Sequence, residues 1–190
     1  GIDFVNLPDE DFDSLMGEST GASVIFGATG GVMEAALRTA VWKLTGENDD
    51  TPLEFNDVRG VEGIKEATYD VDGLQVKVAV VSGLKNASDL LRKVQSGEAD
   101  YHFIEIMGCP GGCVNGGGQP QVPAKIRNFT DIRALRAKVL YDSDAANPIR
   151  RSHENPNIQT LYKEFLGEPG SDLAHQILHT TYVKRKINMF

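Results

Sequence analysis

The chain has 190 residues, 41% of them hydrophobic and 24% charged, which suits a folded protein with its own core. A net charge of -8 argues against a nucleic-acid surface, and no run of about 18 apolar residues is present to cross a membrane. Two cysteines without a basic, apolar leader point to a reducing, cytoplasmic setting, where thiols act as ligands or redox groups rather than as a structural bridge.

Residues 6–21 are acidic, with Asp9, Glu10, Asp11 and Asp13 close together, as in a solvated entry loop. Residues 23–26 are a short apolar run, either a strand or one helical turn, broken by Gly27-Ala28-Thr29-Gly30-Gly31. Thr29 is a candidate N-cap for a helix running through Leu44, with Gly46 as its stop. Val32, Ala36, Thr39, Ala40 and Lys43 or Leu44 recur at helical spacing and predict its buried stripe, and Trp42 reads as core. Residues 67–71 and 74–81 are β-rich runs around Asp72-Gly73, a dipeptide that tolerates the positive φ of a tight hairpin. The second run is apolar almost throughout, as in a strand buried on both faces. Ser88 is a candidate cap for a helix to Gln95 that buries Leu90, Leu91 and Val94 and stops at Gly97.

The strand predicted over residues 101–107, YHFIEIM, completes a strand–helix–strand unit, so the fold class is α/β with a parallel-sheet βαβ lobe flanked by helices. Ligands of such sheets sit beyond the carboxyl ends of the strands, where Met107 and Cys109 fall. Thr130 predicts a cap for a helix over 131–141 with Ile132, Leu135 and Val139 on one stripe. From Asp142 the chain turns polar, and two short helices follow over 157–166 and 171–178. We therefore divide it into an α/β lobe over 1–141 and a helical tail over 142–190 packed on it.

The stretch from Glu105, EIMGCPGGCVNGGGQP, holds both cysteines, Cys109 and Cys113, and six glycines between Gly108 and Gly118. Thiolates select zinc, copper(I) or iron–sulfur clusters. Structural zinc wants four ligands in paired knuckles, and a thioredoxin-type pair wants Cys-x-x-Cys, so neither pattern is met. Glycines let the backbone approach a bulky anionic ligand and turn N–H groups toward it, as iron–sulfur sites require. The plain alternative is a flexible turn with two buried free thiols. His102 lies on the strand before the loop, His153 reads as a surface hydrogen-bonding residue, and His175 and His179 share one helical face in a packing role. The Gly27–Gly31 stretch lacks the lysine of a phosphate loop and reads as a close helix-to-sheet approach.

EIMGCPGGCVNGGGQP resembles the last signature motif of the FeFe-hydrogenases, the iron-only hydrogenases. IFGATGGVMEAALRTA from Ile25, VRGVEGIKEA from Val58, YHFIEIM, KVLYDSD from Lys138, RRSHENP from Arg150 and the final GEPGSDLAHQILHTTY fit the same family in order. The resemblance implies hydrogen oxidation and proton reduction at a 4Fe–4S cubane joined to a diiron unit, the H-cluster. By position in the motif, Cys109 would bind the cubane, and Cys113 would bind the cubane and bridge to the diiron unit. Met107 would pack against the diiron unit, and Phe26, Gly27 and Thr29 would line its pocket; Cys113 and Met107 are the candidate catalytic residues.

The cubane of that family needs four cysteines. The other two belong to Thr-Ser-Cys-Cys-Pro and Pro-Cys-x-x-Lys motifs that do not occur here. The chain thus looks like the second lobe of a two-lobed domain, unable to hold a cluster or turn over hydrogen by itself. Its implied partners are the N-terminal lobe and a ferredoxin or NAD(P)-linked electron-transfer subunit, and the face toward that lobe is expected to be exposed and apolar. The competing reading is a hydrogenase-like iron–sulfur assembly scaffold without hydrogenase activity. A small α/β interaction module with free thiols is the third.

Overall fold

The computed structural model describes residues 1–11, 13, 16–46, 52–60 and 63–184. Val61 and Glu62 of the VRGVEGIKEA stretch lie outside the described residues. The chain forms two compact units, one over Ser19–Glu154 and one joining Gly1–Glu18 to Asn155–Phe190.

The larger unit opens with α1 (Gly21–Val24), whose N-cap Thr20 accepts from the Ser23 N–H, and a 3-10 turn over Ile25–Gly27. The apolar run at 23–26 is therefore helical, with Ile25 buried and Phe26 44% exposed. The next helix, α2 (Gly31–Thr45), stops at Gly46 in the left-handed conformation, as its sequence predicts. Its start differs from expectation. Gly30, at φ 93°, is the N-cap and Thr29 caps nothing, because a distant carboxylate takes the free N–H groups of the first turn. The buried face also differs. Met33, Glu34, Leu37, Arg38 and Val41 point inward, while Ala40, Lys43 and Leu44 of the predicted stripe are exposed. The stripe turns by one residue because Glu34 and Arg38 are buried as an ion pair, which an apolar pattern cannot register. Trp42 is half-buried, not core, and stacks on His153 with ring centroids 4.2 Å apart. His153 is accordingly no surface residue: its Nδ1 lies 3.1 Å from the Thr39 hydroxyl, and burial pushes its pKa down.

The strands β1 (Ile64–Val71) and β2 (Leu74–Ser82) form an antiparallel hairpin, with Asp72 and Gly73 at φ 52° and 82° in the turn. Along β2, side chains alternate between two cores. Val78 and Val80 join Met33, Leu37, Val41, Phe55 and Val58 on the α2 side, and Ala79 and Val81 join Ala87 and Leu90 on the other. Ala87 and Leu90 belong to α3 (Leu84–Ser96), which begins right after β2 at Gly83 and not at Ser88. Leu91 is 46% exposed rather than buried, since Leu90 and Ala87 already fill the sheet contact. Gly97 ends the helix in the left-handed conformation, and β3 (Phe103–Met107) then pairs parallel to β2. Among the described residues the sheet has the order β1-β2-β3, a βαβ unit with the hairpin strand added antiparallel at one edge.

After α4 (Ala124–Arg127) comes α5 (Ile132–Ala146). Its cap is Asp131, not Thr130, and the Asp131 carboxylate accepts from the Arg133 and Ala134 N–H groups. The helix continues unbroken through Tyr141 and Asp142. Ala137 and Asp144 are its buried residues, whereas Leu135 and Val139 are 53% and 65% exposed.

In the smaller unit, α6 (Pro156–Leu161) is capped by Asn155, which also donates to the Glu18 carbonyl, and runs into a π turn over Tyr162–Leu166. Gly167 ends that turn, and Ser171 caps α7 (Asp172–Leu178). His175 and His179 stack with centroids 4.4 Å apart. Asp9, Glu10, Asp11 and Asp13 are all exposed. Among the described residues no helix is long and apolar enough to cross a membrane.

Candidate functional site

The carboxyl end of β3 delivers the cysteine loop. Ser82 of β2 pairs with Met107, and the Met107 carbonyl accepts from the Gly83 N–H at 2.8 Å. Beyond Gly108 the chain winds on itself: the Gly112 N–H donates to the Cys109 carbonyl and the Gly116 N–H to the Cys113 carbonyl, each at 2.9 Å. The short 3-10 turn Cys113–Asn115 lies between. Asn115 donates its side-chain amide to the Pro110 carbonyl, and Arg136 of α5 donates to the Val114 and Pro120 carbonyls at 3.0 and 2.6 Å. The loop is thus held by hydrogen bonds and is not a slack glycine turn.

Its burial pattern is informative. Gly111, Gly112 and Val114 are buried, while Cys109 and Cys113 are free and exposed. The loop turns Gly111 and Gly112 inward and leaves both cysteines exposed. Gly112 takes φ 96°, and a Cβ there would fall 2.6 Å from the Gly27 carbonyl oxygen and 2.9 Å from the Thr29 nitrogen. Only a residue without a side chain fits both that dihedral and that space. The neighbouring Gly111 is held from two sides. Its N–H donates to the Ser82 hydroxyl at 2.9 Å, and its carbonyl accepts from the Thr29 N–H at 3.3 Å. Two stretches some eighty residues apart, Gly27–Thr29 and the cysteine loop, therefore meet backbone to backbone.

Of the predicted residues, Cys109, Cys113, Gly27 and Thr29 are assembled by these contacts, and Met107 sits at the strand end directly before the loop. Phe26 stands beside Gly27 with its ring partly exposed. The strand starts at Phe103 rather than Tyr101, and His102 lies in the bend before it, its Nδ1 accepting from the Lys77 N–H. Ser82, Glu105 and Arg136 were not apparent as site residues. Ser82 directly follows the apolar run Val78–Val81, and that break in pattern is the signal that could have exposed it.

The Thr29 hydroxyl is 1% exposed as a residue and has no hydrogen-bond partner. An unmet buried hydroxyl costs roughly 1–3 kcal/mol. Thr29→Val is therefore expected to leave the isolated chain as stable or up to about 2 kcal/mol more stable, read by urea unfolding; a clear loss of stability would mean the hydroxyl is already satisfied.

Among the described residues no group of three or more His, Cys, Asp or Glu side chains could hold a metal ion. The donor set here is two exposed thiols, soft ligands that suit an iron–sulfur cluster. With a buried glycine cradle behind them and an orphan hydroxyl at its edge, they fit one half of a four-thiolate site.

Residues 1–117 match the family described as iron only hydrogenase large subunit, C-terminal domain, and residues 130–185 match iron hydrogenase small subunit. The chain is 51% identical over 187 residues to the NADP-reducing hydrogenase subunit HndD of Solidesulfovibrio fructosivorans, covering 97% of this chain and 31% of that one. It is 33% identical to Protein NAR1 of Arabidopsis thaliana, over 96% of this chain and 38% of that one. A solved structure of a variant of FeFe-hydrogenase HydA1 from Chlamydomonas reinhardtii superposes with a TM-score of 0.67 at 42% identity, over 94% of this chain and 50% of that one. The chain thus spans about a third of the curated relatives and about half of the solved chain.

Proposed function

Since the chain belongs to the iron-only hydrogenase family, we propose that it is the lobe of a hydrogenase that supplies two of the four thiolates of the H-cluster. The observation that carries this reading is the pair of exposed cysteines on a loop whose Gly111 and Gly112 are buried against Gly27–Thr29. Cys109 would give one thiolate to the cubane, and Cys113 a second that also bridges to the diiron unit. When bound, that group supplies the electron and hydrogen chemistry that interconverts protons and molecular hydrogen. The protein's part is to fix the two thiolates, exclude water and line the pocket. Met107 and Phe26 present apolar surface for the last two tasks, and the Thr29 hydroxyl offers an unused hydrogen bond. Gly27 would line the pocket with backbone, since a Cβ there would meet the Leu140 Cδ1 at 2.7 Å.

Two thiolates hold an iron–sulfur cluster weakly, so the other two ligands come, in this reading, from a partner lobe outside this chain. The exposed Leu135 and Val139, one turn apart on α5, and the nearby exposed Phe129 are the kind of apolar surface such a lobe would cover. The α/β lobe through residue 141 would carry the site, and residues 142–190 would form the tail that corresponds to the small-subunit match. The electron partner would be a ferredoxin or a nicotinamide-linked subunit; the relative HndD is named as an NADP-reducing hydrogenase subunit.

The test is anaerobic reconstitution. The chain alone is expected to take up well under one cluster per molecule and to evolve no hydrogen. Joined to a lobe carrying the other two cysteines, it is expected to bind a cluster with infrared bands of metal-bound CO and cyanide and to turn over hydrogen. A stoichiometric cluster and hydrogen evolution from this chain alone would overturn the two-lobe reading. The likeness to Protein NAR1 supports the second reading, an assembly scaffold. That reading predicts a bound cubane without those infrared bands and without hydrogen.

A further inference from the structure

Glu105 lies on β3, four residues before Cys109, and is 7% exposed. Its Oε1 accepts from the Gly30 N–H and its Oε2 from the Met33 N–H, both at 2.7 Å. These N–H groups belong to the first turn of α2 and its cap, where a helix has no internal acceptors. The carboxylate thus spans 75 and 72 residues of sequence to do what an N-cap side chain would do.

The other buried carboxylates are matched by cations. Glu34 pairs with Arg38 and Arg59, and Asp144 pairs with Arg38 and Arg150. Glu105 is matched, among the described residues, by backbone dipoles only, since no ion pair involves it. Its negative charge is therefore less fully answered than theirs. It also sits where charge matters. The positive end of α2, fifteen residues long, carries roughly half an elementary charge. That end touches the cysteine loop through Thr29, whose N–H donates to the Gly111 carbonyl between the two thiols.

We propose that Glu105 is a positioning residue that pins β3 to the amino end of α2 and turns the net field at the cysteine loop from positive to negative. The proposal rests on the reading that Cys109 and Cys113 hold a cluster. The helix end by itself would favour the more negative, reduced form of a group on those thiolates. A full negative charge at the same place outweighs half a positive one and favours the oxidised form, so Glu105 holds the reduction potential down. Burial keeps salt from screening it.

The experiment uses the intact hydrogenase containing this chain, loaded anaerobically, and compares Glu105→Gln with Glu105→Asp. Glutamine keeps the length and one acceptor and loses the charge; aspartate keeps the charge and shortens the reach. Iron content, circular dichroism and the cubane midpoint potential by redox titration are read. Glu105→Gln is expected to retain iron and shift the potential positive, and Glu105→Asp to shift it by less than half as much. Loss of iron in the glutamine variant with retention in the aspartate variant supports the same assignment, because charge separates the two. A fully loaded Glu105→Gln protein with an unshifted or more negative potential overturns it, as do equal shifts in both variants or loss of iron from both. A wild-type protein that binds no cluster defeats the ligand reading first, and this one with it.

Discussion

Cys113→Ser in the intact enzyme is expected to lower hydrogen turnover by at least about a thousandfold and to remove the infrared bands of the diiron unit. Changing residues that merely orient metal ligands typically costs about 10–100-fold, and removing a thiolate that would itself hold the group, as proposed for Cys113, should exceed that. The same substitution in the isolated chain is expected to leave unfolding within about 0.5 kcal/mol of wild type, because the residue is exposed. The contrast is diagnostic. A residue kept for the fold would lose stability, and a residue kept for a cluster loses only the cluster. Cys109→Ser is expected to behave alike in the isolated chain and to lose the cubane in the assembled protein. A Cys113→Ser enzyme that retains turnover within about tenfold would remove Cys113 from the ligand set, whatever the family motif implies.

Features set by neighbouring residues were legible in the sequence. Asp72-Gly73 specified the hairpin because both turn positions need positive φ, and Gly46 and Gly97 stopped their helices for the same reason. The apolar run of β2 announced a strand covered on both faces, and two separate cores do cover it. The βαβ unit then placed Met107 and Cys109 at the carboxyl end of a strand.

Features set by distant partners were not legible. Three helix starts, predicted at Thr29, Ser88 and Thr130, fell elsewhere. At α2 the acceptor that relieves the first turn is Glu105 from another strand, so no local side chain was needed. At α3 the chain enters the helix directly from β2 through Gly83, whose positive φ turns it without a capping side chain. The buried stripe of α2 was misplaced because Glu34 and Arg38 are buried together with Asp144, 106 residues from Arg38. Apolar periodicity scores both as surface residues. The stripe on α5 was real in sequence, yet Leu135 and Val139 face outward. A periodic pattern says that a face is apolar and not which neighbour covers it. The site divides in the same way. The cysteines and glycines were visible as a motif, while Ser82, Glu105 and Arg136, which hold the loop, became visible only through their contacts.

Asp144→Asn is expected to destabilise the chain by about 3–5 kcal/mol, the largest effect on stability of any substitution considered. Arg38 is fully buried, and each of its N–H donors has an acceptor. The Leu53 carbonyl accepts from Nε, Asp144 accepts from both terminal nitrogens at 2.8 Å, and the Arg150 carbonyl and Glu34 take the remaining two. An amide in place of the Asp144 carboxylate sets NH2 against a guanidinium and leaves the buried Arg38 with Glu34 as the one remaining of its two counter-ions. Removing one partner of such a pair costs far more than the pair contributes over a packed apolar substitute. The loss is a large fraction of the roughly 5–15 kcal/mol typical of a folded protein, so the urea midpoint is expected to fall markedly at room temperature. The pH dependence supplies a second check. Burial alone would raise the Asp144 pKa, but the hydrogen bonds from Arg38 and Arg150 outweigh it and hold the pKa below the usual carboxylate range. A carboxylate depressed in the folded state contributes its full stability above its unfolded pKa, and that contribution is lost as the pH falls through the folded one. The wild-type chain should therefore lose stability in that acidic window, and Asp144→Asn should show a flatter acid limb. The consequence reaches the site, because α5 carries both Asp144 and the Arg136 that holds the Val114 and Pro120 carbonyls of the cysteine loop. In the assembled enzyme the same substitution is expected to lower cluster occupancy although it touches no ligand. Stability within about 1 kcal/mol of wild type would mean that the buried network is not what fixes α5 against α2.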